Sequence, residues 1–477
     1  MSLKAQAKSG MIWTFAQQFG SQIISFAISI VLARLLTPED FGTIALFGVV
    51  MGIASTLISG GMGSSLIRDK NTNEKDYSTV FIFNIVLSII MYGIVYITAP
   101  YIADFYKIPT LSAIIRVYAL VLIINAFNII QSTRLSKNMA FKTMFKIQLP
   151  SLIIGGVIGI AFAYAGFGVW SLVYSALIQN TISTVQYWLY SDWRPKLIFN
   201  RDKFRHHFSF GYKMTLSGLL DIVFNNIYPI LIGKLFTIAQ LGYYNRADSL
   251  KQLPVSNLSN ALNKVTFPLF AKISHDDQKL KEVYQKLMRV VIFIIAPTLA
   301  LMVVLAEPII RFLLTDKWLP AVPYLQILAI SGLLYPIHSY NLNILQVKGR
   351  SDLFLRLEVI KKTFTVLILM LSIPFGIFGL LWGRVIQSIL AFFINTYYTG
   401  KFINYTSWQQ TKDLFPSLIL ASCCGGIVYW FSHTIANEWW DGFHLAVSSI
   451  LFVILYLGCA FMLKFKEITH IKQLIKT

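Results

Sequence analysis

Charged side chains are scarce in this chain. Asp, Glu, Lys and Arg make up 13% of its 477 residues, about half their share in a soluble globular protein. Acids are rarest, 21 against 41 Lys and Arg. Cysteine is nearly absent. Cys423, Cys424 and Cys459 lie in apolar stretches and offer neither a disulfide framework nor metal-ligand spacing. No HExxH, CxxC, Walker loop or GxSxG occurs, so the common enzyme constellations are missing. His206 and His207 are adjacent, and adjacent residues on a helix do not share a face, which argues against a metal site. No metal or cofactor is expected. Long polar loops are missing too. The longest, near 191–209 and 269–289, leave no room for a catalytic domain outside the apolar segments. The apolar run after Lys4 and Lys8 continues to Leu36, too long for a cleavable signal, so the first helix is expected to stay.

Apolar residues fill the space left by charge: 56% of the chain is hydrophobic and 14% aromatic, with mean hydropathy +0.63. They come in blocks of about 20, the length that crosses a bilayer as a helix. In lipid every backbone amide must be satisfied locally, so the spans are helices. Fourteen are expected, near 11–33, 42–66, 78–99, 112–133, 147–165, 168–190, 210–233, 243–268, 290–306, 322–346, 359–375, 377–398, 413–431 and 444–463. The fold class is an all-α polytopic membrane protein.

The net charge of +20 could point to nucleic acid, but its placement argues otherwise. With both termini on one side, thirty of the 41 basic residues fall on that side and six on the other, Arg34, Lys107, Lys234, Arg246, Arg311 and Lys317. Such a bias marks the richer side as cytoplasmic. The poorer side carries aromatic residues, Tyr101, Tyr106, Trp318, Tyr324, Trp439 and Trp440.

One stretch is written twice. Arg34-Leu35, Thr37, Phe41 and Gly42 return at Lys234-Leu235, Thr237, Leu241 and Gly242. The repeat period is six helices, an even number, so the halves share an orientation and place a site at their interface. The expected division is a six-helix lobe over 1–200, a second over 201–400, and two further helices with a basic tail over 401–477. Arg34 and Lys234 then occupy equivalent places at the outer mouth. Two readings stay open for them, cations that meet a departing anion or side chains that snorkel to head groups. Pro38, Glu39 and Asp40 start the next helix in the first copy; Ile238, Ala239 and Gln240 replace them in the second.

Polar residues inside the spans are the candidate site. Lys213, Ser217, Asp221 and Asn225 fall on one face of the seventh helix. Trp13, Gln17, Ser21, Ser25 and Ser29 form the equivalent face of the first, where helix–helix hydrogen bonding is the simpler reading. The eighth segment is unusually polar, with Asp248, Lys251, Asn263 and Lys264 among its residues and Pro254 expected to bend it. It lines a wet cavity or lies along the interface. Arg116, Lys213, Lys251, Lys264 and Arg384 outnumber Asp221 and Asp248 within spans. Buried charge faces water or a partner, and an excess of Lys and Arg suits an anion, Arg gripping phosphate with two parallel bonds. Asn125, Asn128, Asn225, Asn226 and Asn263 suit a substrate rich in hydroxyls.

The run Ala33–Gly42, with Leu241–Asp248 and Phe267–Lys272, resembles the polysaccharide-exporting flippases of the multidrug/oligosaccharidyl-lipid/polysaccharide exporter superfamily, and among them the Wzx-type exporters of colanic-acid and lipopolysaccharide repeat units. The resemblance implies two six-helix lobes plus two helices around a cationic cavity. It implies alternating access that moves an undecaprenyl-diphosphate-linked oligosaccharide to the outer leaflet of the bacterial inner membrane. It also implies coupling to a proton or sodium ion, for which Asp221 and Asp248 are the available carboxylates, and work beside a polymerase and a chain-length regulator. Membrane lipids are expected partners, and nucleic acid is not. A peptidoglycan-precursor flippase shares the fold and the cationic cavity. A multidrug/cation antiporter would want an acidic cavity, and a membrane polymerase or ligase a large outer loop.

Overall fold

The structure, a computed structural model, describes residues 3–436 and 438–469; the side chains of residues 3–18, 261, 262, 264 and 265 lie outside the described set. The described residues form helices and no strand. They fall into two compact units, Met1–Gly242 and Tyr243–Thr477.

Unit 1 comprises α1 (Leu3–Leu35), α2 (Pro38–Ser59), α3 (Met62–Arg68), α4 (Glu74–Tyr106), α5 (Thr110–Tyr118), α6 (Leu120–Lys137), α7 (Phe141–Tyr164), α8 (Val169–Tyr190), α9 (Arg201–Asn225) and α10 (Ile227–Leu235). Helix α7 packs on α1 and α8, α4 packs on α5 and α6, and α9 lies against α2 and α3. The seventh expected span is thus the bent pair α9 and α10, 43° apart. Unit 1 holds it together with the first six spans.

Unit 2 takes in all but the first turn of α11 (Ile238–Lys272), then α12 (Asp277–Val304), α13 (Ala306–Leu314), α14 (Val322–Gly332), α15 (Tyr335–Val347), α16 (Ser351–Ser372), α17 (Gly376–Ile403), α18 (Ser407–Thr434) and α19 (Asp441–Met462). Its core is aromatic at one end. Tyr284 stacks on Phe270 with ring centroids 5.9 Å apart and meets Tyr405 edge-on at 5.7 Å. The Tyr405 hydroxyl donates to Asp413 at 2.5 Å, and Arg289 pairs with the same carboxylate at 2.5 Å.

Helix occupies all fourteen expected segments. Nine stretches among the described residues are long and apolar enough to cross a membrane, ten with the bent pair; α8 and α11 are not among them, and α1 contributes only the shorter apolar stretch Phe19–Leu35. Helix α11 runs unbroken through Pro254 and Pro268. The expected loops near 191–209 and 269–289 are shorter than the hydropathy suggests. Asn200 caps α9 by accepting from the Lys203 amide at 2.9 Å, and Asp276 caps α12 by accepting from the Lys279 amide at 2.9 Å. Such polar caps extend helices past their apolar cores, where hydropathy no longer sees them.

The written repeat is a repeat of atoms. The Thr37 hydroxyl accepts from the Asp40 amide, and the Asp40 carboxylate accepts from the Thr37 amide. Two hundred residues on, Thr237 and Gln240 make the same two bonds. Gln240 replaces the acid because a capping box needs an acceptor at that position, not a charge.

Candidate functional site

Helix α11 carries a run of polar residues through unit 2, and α17 answers it. Lys251 Nζ lies 2.6 Å from Asp248 Oδ1, and Arg384 Nη1 approaches the same oxygen at 3.1 Å. Arg384 also donates to the Tyr244 hydroxyl. Arg246 is buried with its guanidinium 5.9 Å from the Trp318 ring centroid. Lys251 is 3% exposed. Its stem passes Gly332 of α14, where a Cβ would sit 3.0 Å from Lys251 Cδ. Three cations and one carboxylate thus share one end of α11, and the set carries net positive charge.

Further along α11, Asn263 donates to the Ser339 hydroxyl at 2.6 Å and accepts from Asn343 at 3.0 Å. A chain of amides and hydroxyls therefore links α11 to α15. Lys264 belongs to the same helix, but its side chain lies outside the described residues, as do those of Trp13 and Gln17.

In unit 1 the expected stripe of α9 is exposed at Lys213, Ser217, Asp221 and Asn225. Lys213 is brought to a different set from Asp221. It lines a cleft of about 550 Å³ with Ser65, Arg68, Asp69, Lys70, His206, Ser209 and Phe210. The cleft exists because two consecutive glycines break the second span. Gly60 and Gly61 adopt left-handed φ of 55° and 62°, a conformation that costs glycine little. Helix α3 then packs so closely on α9 that a Cβ on Gly61 would lie 2.5 Å from the Gly211 carbonyl oxygen. That approach sets Ser65 against α9, and the Arg68 guanidinium 5.0 Å from the Phe210 ring centroid.

A buried relay supports the cleft floor. Ser65 Oγ lies 2.8 Å from His207 Nδ1, and His207 Nε2 lies 3.0 Å from Asp76 Oδ1. Lys203 pairs with that carboxylate at 3.0 Å. An ionised carboxylate can only accept, so His207 carries its proton on Nε2 and accepts a hydrogen bond from the Ser65 hydroxyl at Nδ1. Outside, His206 faces Asp69 at 3.2 Å. The Asn71 amide, with His206 beside it, holds the Asp69 carboxyl below the usual carboxylate range. Lys137 ties the following loop down, donating to the Leu66 carbonyl, the Asp69 carbonyl and the Thr72 hydroxyl.

Other candidates stand apart from both sets. Arg116 donates to the Tyr96 carbonyl at 3.2 Å and lies over that ring at 4.3 Å. Lys234 donates to the Phe105 carbonyl at 2.5 Å, and Arg34 is exposed at the end of α1. Asn128 donates to Asn125 and Thr184. No cluster of metal-ligating side chains occurs among the described residues.

Sequence reasoning missed Arg68, Lys70, Ser65 and Asp76 because hydropathy assigns the chain around them to a span end and a loop. It missed Tyr244 because an aromatic residue at the start of a span reads as an interface anchor.

The chain is similar to WzxC of Escherichia coli K12, a lipopolysaccharide biosynthesis protein, with 24% identity covering 83% of this chain and 82% of that one. It is similar to the teichuronic acid biosynthesis protein TuaB of Bacillus subtilis 168, with 27% identity over 74% and 73%. Its fold is shared with a solved lipid II flippase MurJ in an inward closed conformation, at TM-score 0.76 and 14% identity over 95% of this chain and 99% of that one. It is shared less closely with an inward-facing multidrug resistance MATE transporter of the MOP superfamily, at TM-score 0.59 and 17% identity over 80% and 96%. A family model described as polysaccharide biosynthesis protein matches residues 31–323, and the chain belongs to that family.

Proposed function

We propose that this protein is a flippase for lipid-linked oligosaccharides, carrying undecaprenyl-diphosphate-linked repeat units from the cytoplasmic to the outer leaflet. The observation that carries the reading is the charge balance at the start of α11, where Lys251 and Arg384 meet one carboxylate, Asp248, and a third cation, Arg246, is buried on the same helix. Charge is expensive inside a membrane protein unless it serves a partner. A net positive set containing a guanidinium fits a diphosphate, whereas a cation antiporter would need the opposite balance. The amide and hydroxyl chain at Asn263, Ser339 and Asn343 fits sugar hydroxyls. The family and the names of the relatives support a role in building surface polysaccharide.

The same reading covers the rest of the cycle. Both termini are cytoplasmic in the inner membrane, as the basic bias argues. The two six-helix lobes 1–200 and 201–400 alternate access, with 401–477 outside the repeat. Asp221, on the exposed stripe of α9, and Asp248, already held by two cations, are the carboxylates available to a coupling proton or sodium ion. A polymerase and a chain-length regulator receive the product.

The test is genetic and chemical. A strain lacking the gene should accumulate lipid-linked oligosaccharide in the inner leaflet and lose surface polymer, and wild type should restore it. Arg384→Gln should fail to restore it at equal membrane level, with Arg384→Lys intermediate because it keeps charge and loses the planar fork. Full polymer from the Gln variant would sink the cationic-site argument. Rescue of cells depleted of their lipid II flippase would move the substrate to peptidoglycan precursors.

A further inference from the structure

We infer that the cleft between α3 and α9 in unit 1 is a second diphosphate site, at which a lipid carrier's diphosphate is held before it enters the transport path; this rests on the flippase reading above. Three cations line the cleft, Arg68, Lys70 and Lys213, against one carboxylate, Asp69. The net charge of about two positive units matches a diphosphate diester, which carries two negative charges, better than a phospholipid phosphodiester, which carries one. Ser209 and His206 add a hydroxyl and an imidazole to the same wall.

The arrangement is built rather than incidental. Asp69 is occupied by the Asn71 amide at 2.9 Å and by His206 at 3.2 Å, so the carboxylate is turned toward partners of its own. Arg68 lies over the Phe210 ring, which orients the guanidinium plane. Lys137 anchors the loop that carries Asp69 and Lys70. At about 550 Å³ the cleft falls within the roughly 300–1,000 Å³ of small-ligand sites. It opens at the end of unit 1 that the basic bias assigns to the cytoplasm, the side on which lipid-linked sugars are assembled before export. The Ser65 hydroxyl is engaged by His207, so the cleft floor offers the diphosphate no free donor and the three cations supply the grip.

Inorganic pyrophosphate is the probe. Full-length protein in phosphatidylcholine nanodiscs is titrated in an Arg384→Gln background, which disables the set in unit 2 and isolates the cleft. Saturable binding is expected. Replacing Arg68, Lys70 and Lys213 together by Gln should weaken it at least tenfold, with the melting temperature unchanged because all three are exposed. Ser209→Glu, which puts a second carboxylate in the wall, should weaken it as much. No binding in the Arg384→Gln background, or equal binding in the triple variant, overturns the inference. So does loss of pyrophosphate binding when phosphatidylglycerol is added to the disc, because the cleft would then be taken by bulk lipid head groups. Polymer export separates the two readings. If the cleft variants bind and export like wild type while Arg384→Gln exports nothing, the cleft is not a site and the flippase reading stands. If the gene-deleted strain exports normally, the flippase reading falls while pyrophosphate binding still decides whether the cleft takes anions.

Discussion

Replacing Asp248 by alanine removes the oxygen that both Lys251 and Arg384 approach. The two nitrogens sit 2.6 and 3.1 Å from that single atom, so they lie within about 6 Å of each other. At an effective dielectric of about 20, two unit charges at that distance repel by roughly 3 kcal/mol. Lys251 is 3% exposed and cannot escape to solvent without moving α11, whereas Arg384 and Asp248, at 23% and 24%, can relax partly. Breaking a buried pair from one side costs about 3–5 kcal/mol, and partial exposure lowers that, so Asp248→Ala should destabilise unit 2 by about 2–3 kcal/mol. Purified full-length protein in mild detergent, unfolded thermally and with denaturant, reads the loss. The companion is Lys251→Met, which removes one of the two repelling cations. In the double variant most of the stability should return, with a coupling energy above about 1 kcal/mol. Export should not return, because the cation is missing. A single Asp248→Ala within about 0.5 kcal/mol of wild type would refute the account, as would strict additivity in the cycle; either would mean that solvent already screens the three charges.

In unit 1, His207→Ala should cost about 2–4 kcal/mol, because it leaves the fully buried Asp76 with only Lys203 and the Asn73 amide and strips Ser65 of its acceptor; thermal unfolding checks it, and a neutral result would show water taking the imidazole's place. Lys137→Met deprives two carbonyls and a hydroxyl of one donor and should cost about 1–3 kcal/mol. Hydrogen exchange should quicken over residues 66–72 and leave the amides of α7 and α8 unchanged.

What the sequence makes legible depends on how far apart the cooperating residues are. Charges inside spans stand out one by one, and Asp248, Lys251 and Arg384 are legible on that ground alone. Their partners stay hidden, since nothing in the chain joins Tyr244 to Arg384 across 140 positions. The cleft was illegible for a different reason. Its residues sit at a span end and in a loop, where lysine and arginine read as topology signals. Two signals were available. Gly60-Gly61 inside an apolar run marks a break. His206 and His207, set aside as a metal pair because neighbours face different ways, use that divergence: one turns to Asp69 and the other inward to Ser65 and Asp76. The cap at Gln240 was equally available, once the search is for an acceptor three residues after a threonine rather than for a negative charge.

The repeated turn yields the sharpest test of whether the two copies act as one device. Helix α2 presents Gly42 to the carbonyl oxygen of Ile238, the first residue of α11, and α11 presents Gly242 to the carbonyl oxygen of Pro38, the first residue of α2. A Cβ on either glycine would fall on the other helix's backbone, which cannot move aside as a side chain could. Glycine in a helix interior is ordinarily a weakness of about 0.5–1 kcal/mol relative to alanine. At these two positions the sign must reverse, with overpacking costing about 1–3 kcal/mol. Gly48 is the control on the same helix, since nothing lies within 4 Å of a Cβ built there, and Gly48→Ala should be neutral or slightly stabilising. Gly42→Ala and Gly242→Ala should each lower the melting temperature of the purified protein. Because one helix displacement relieves both clashes, the double variant should cost less than the two together. If both alanine variants behave like Gly48→Ala, the reciprocal backbone contact does not hold the helix starts, and the twice-written sequence reflects only two similar caps. If they differ from Gly48→Ala and from additivity, the repeat is a matched pair of contacts, each copy existing to receive the other.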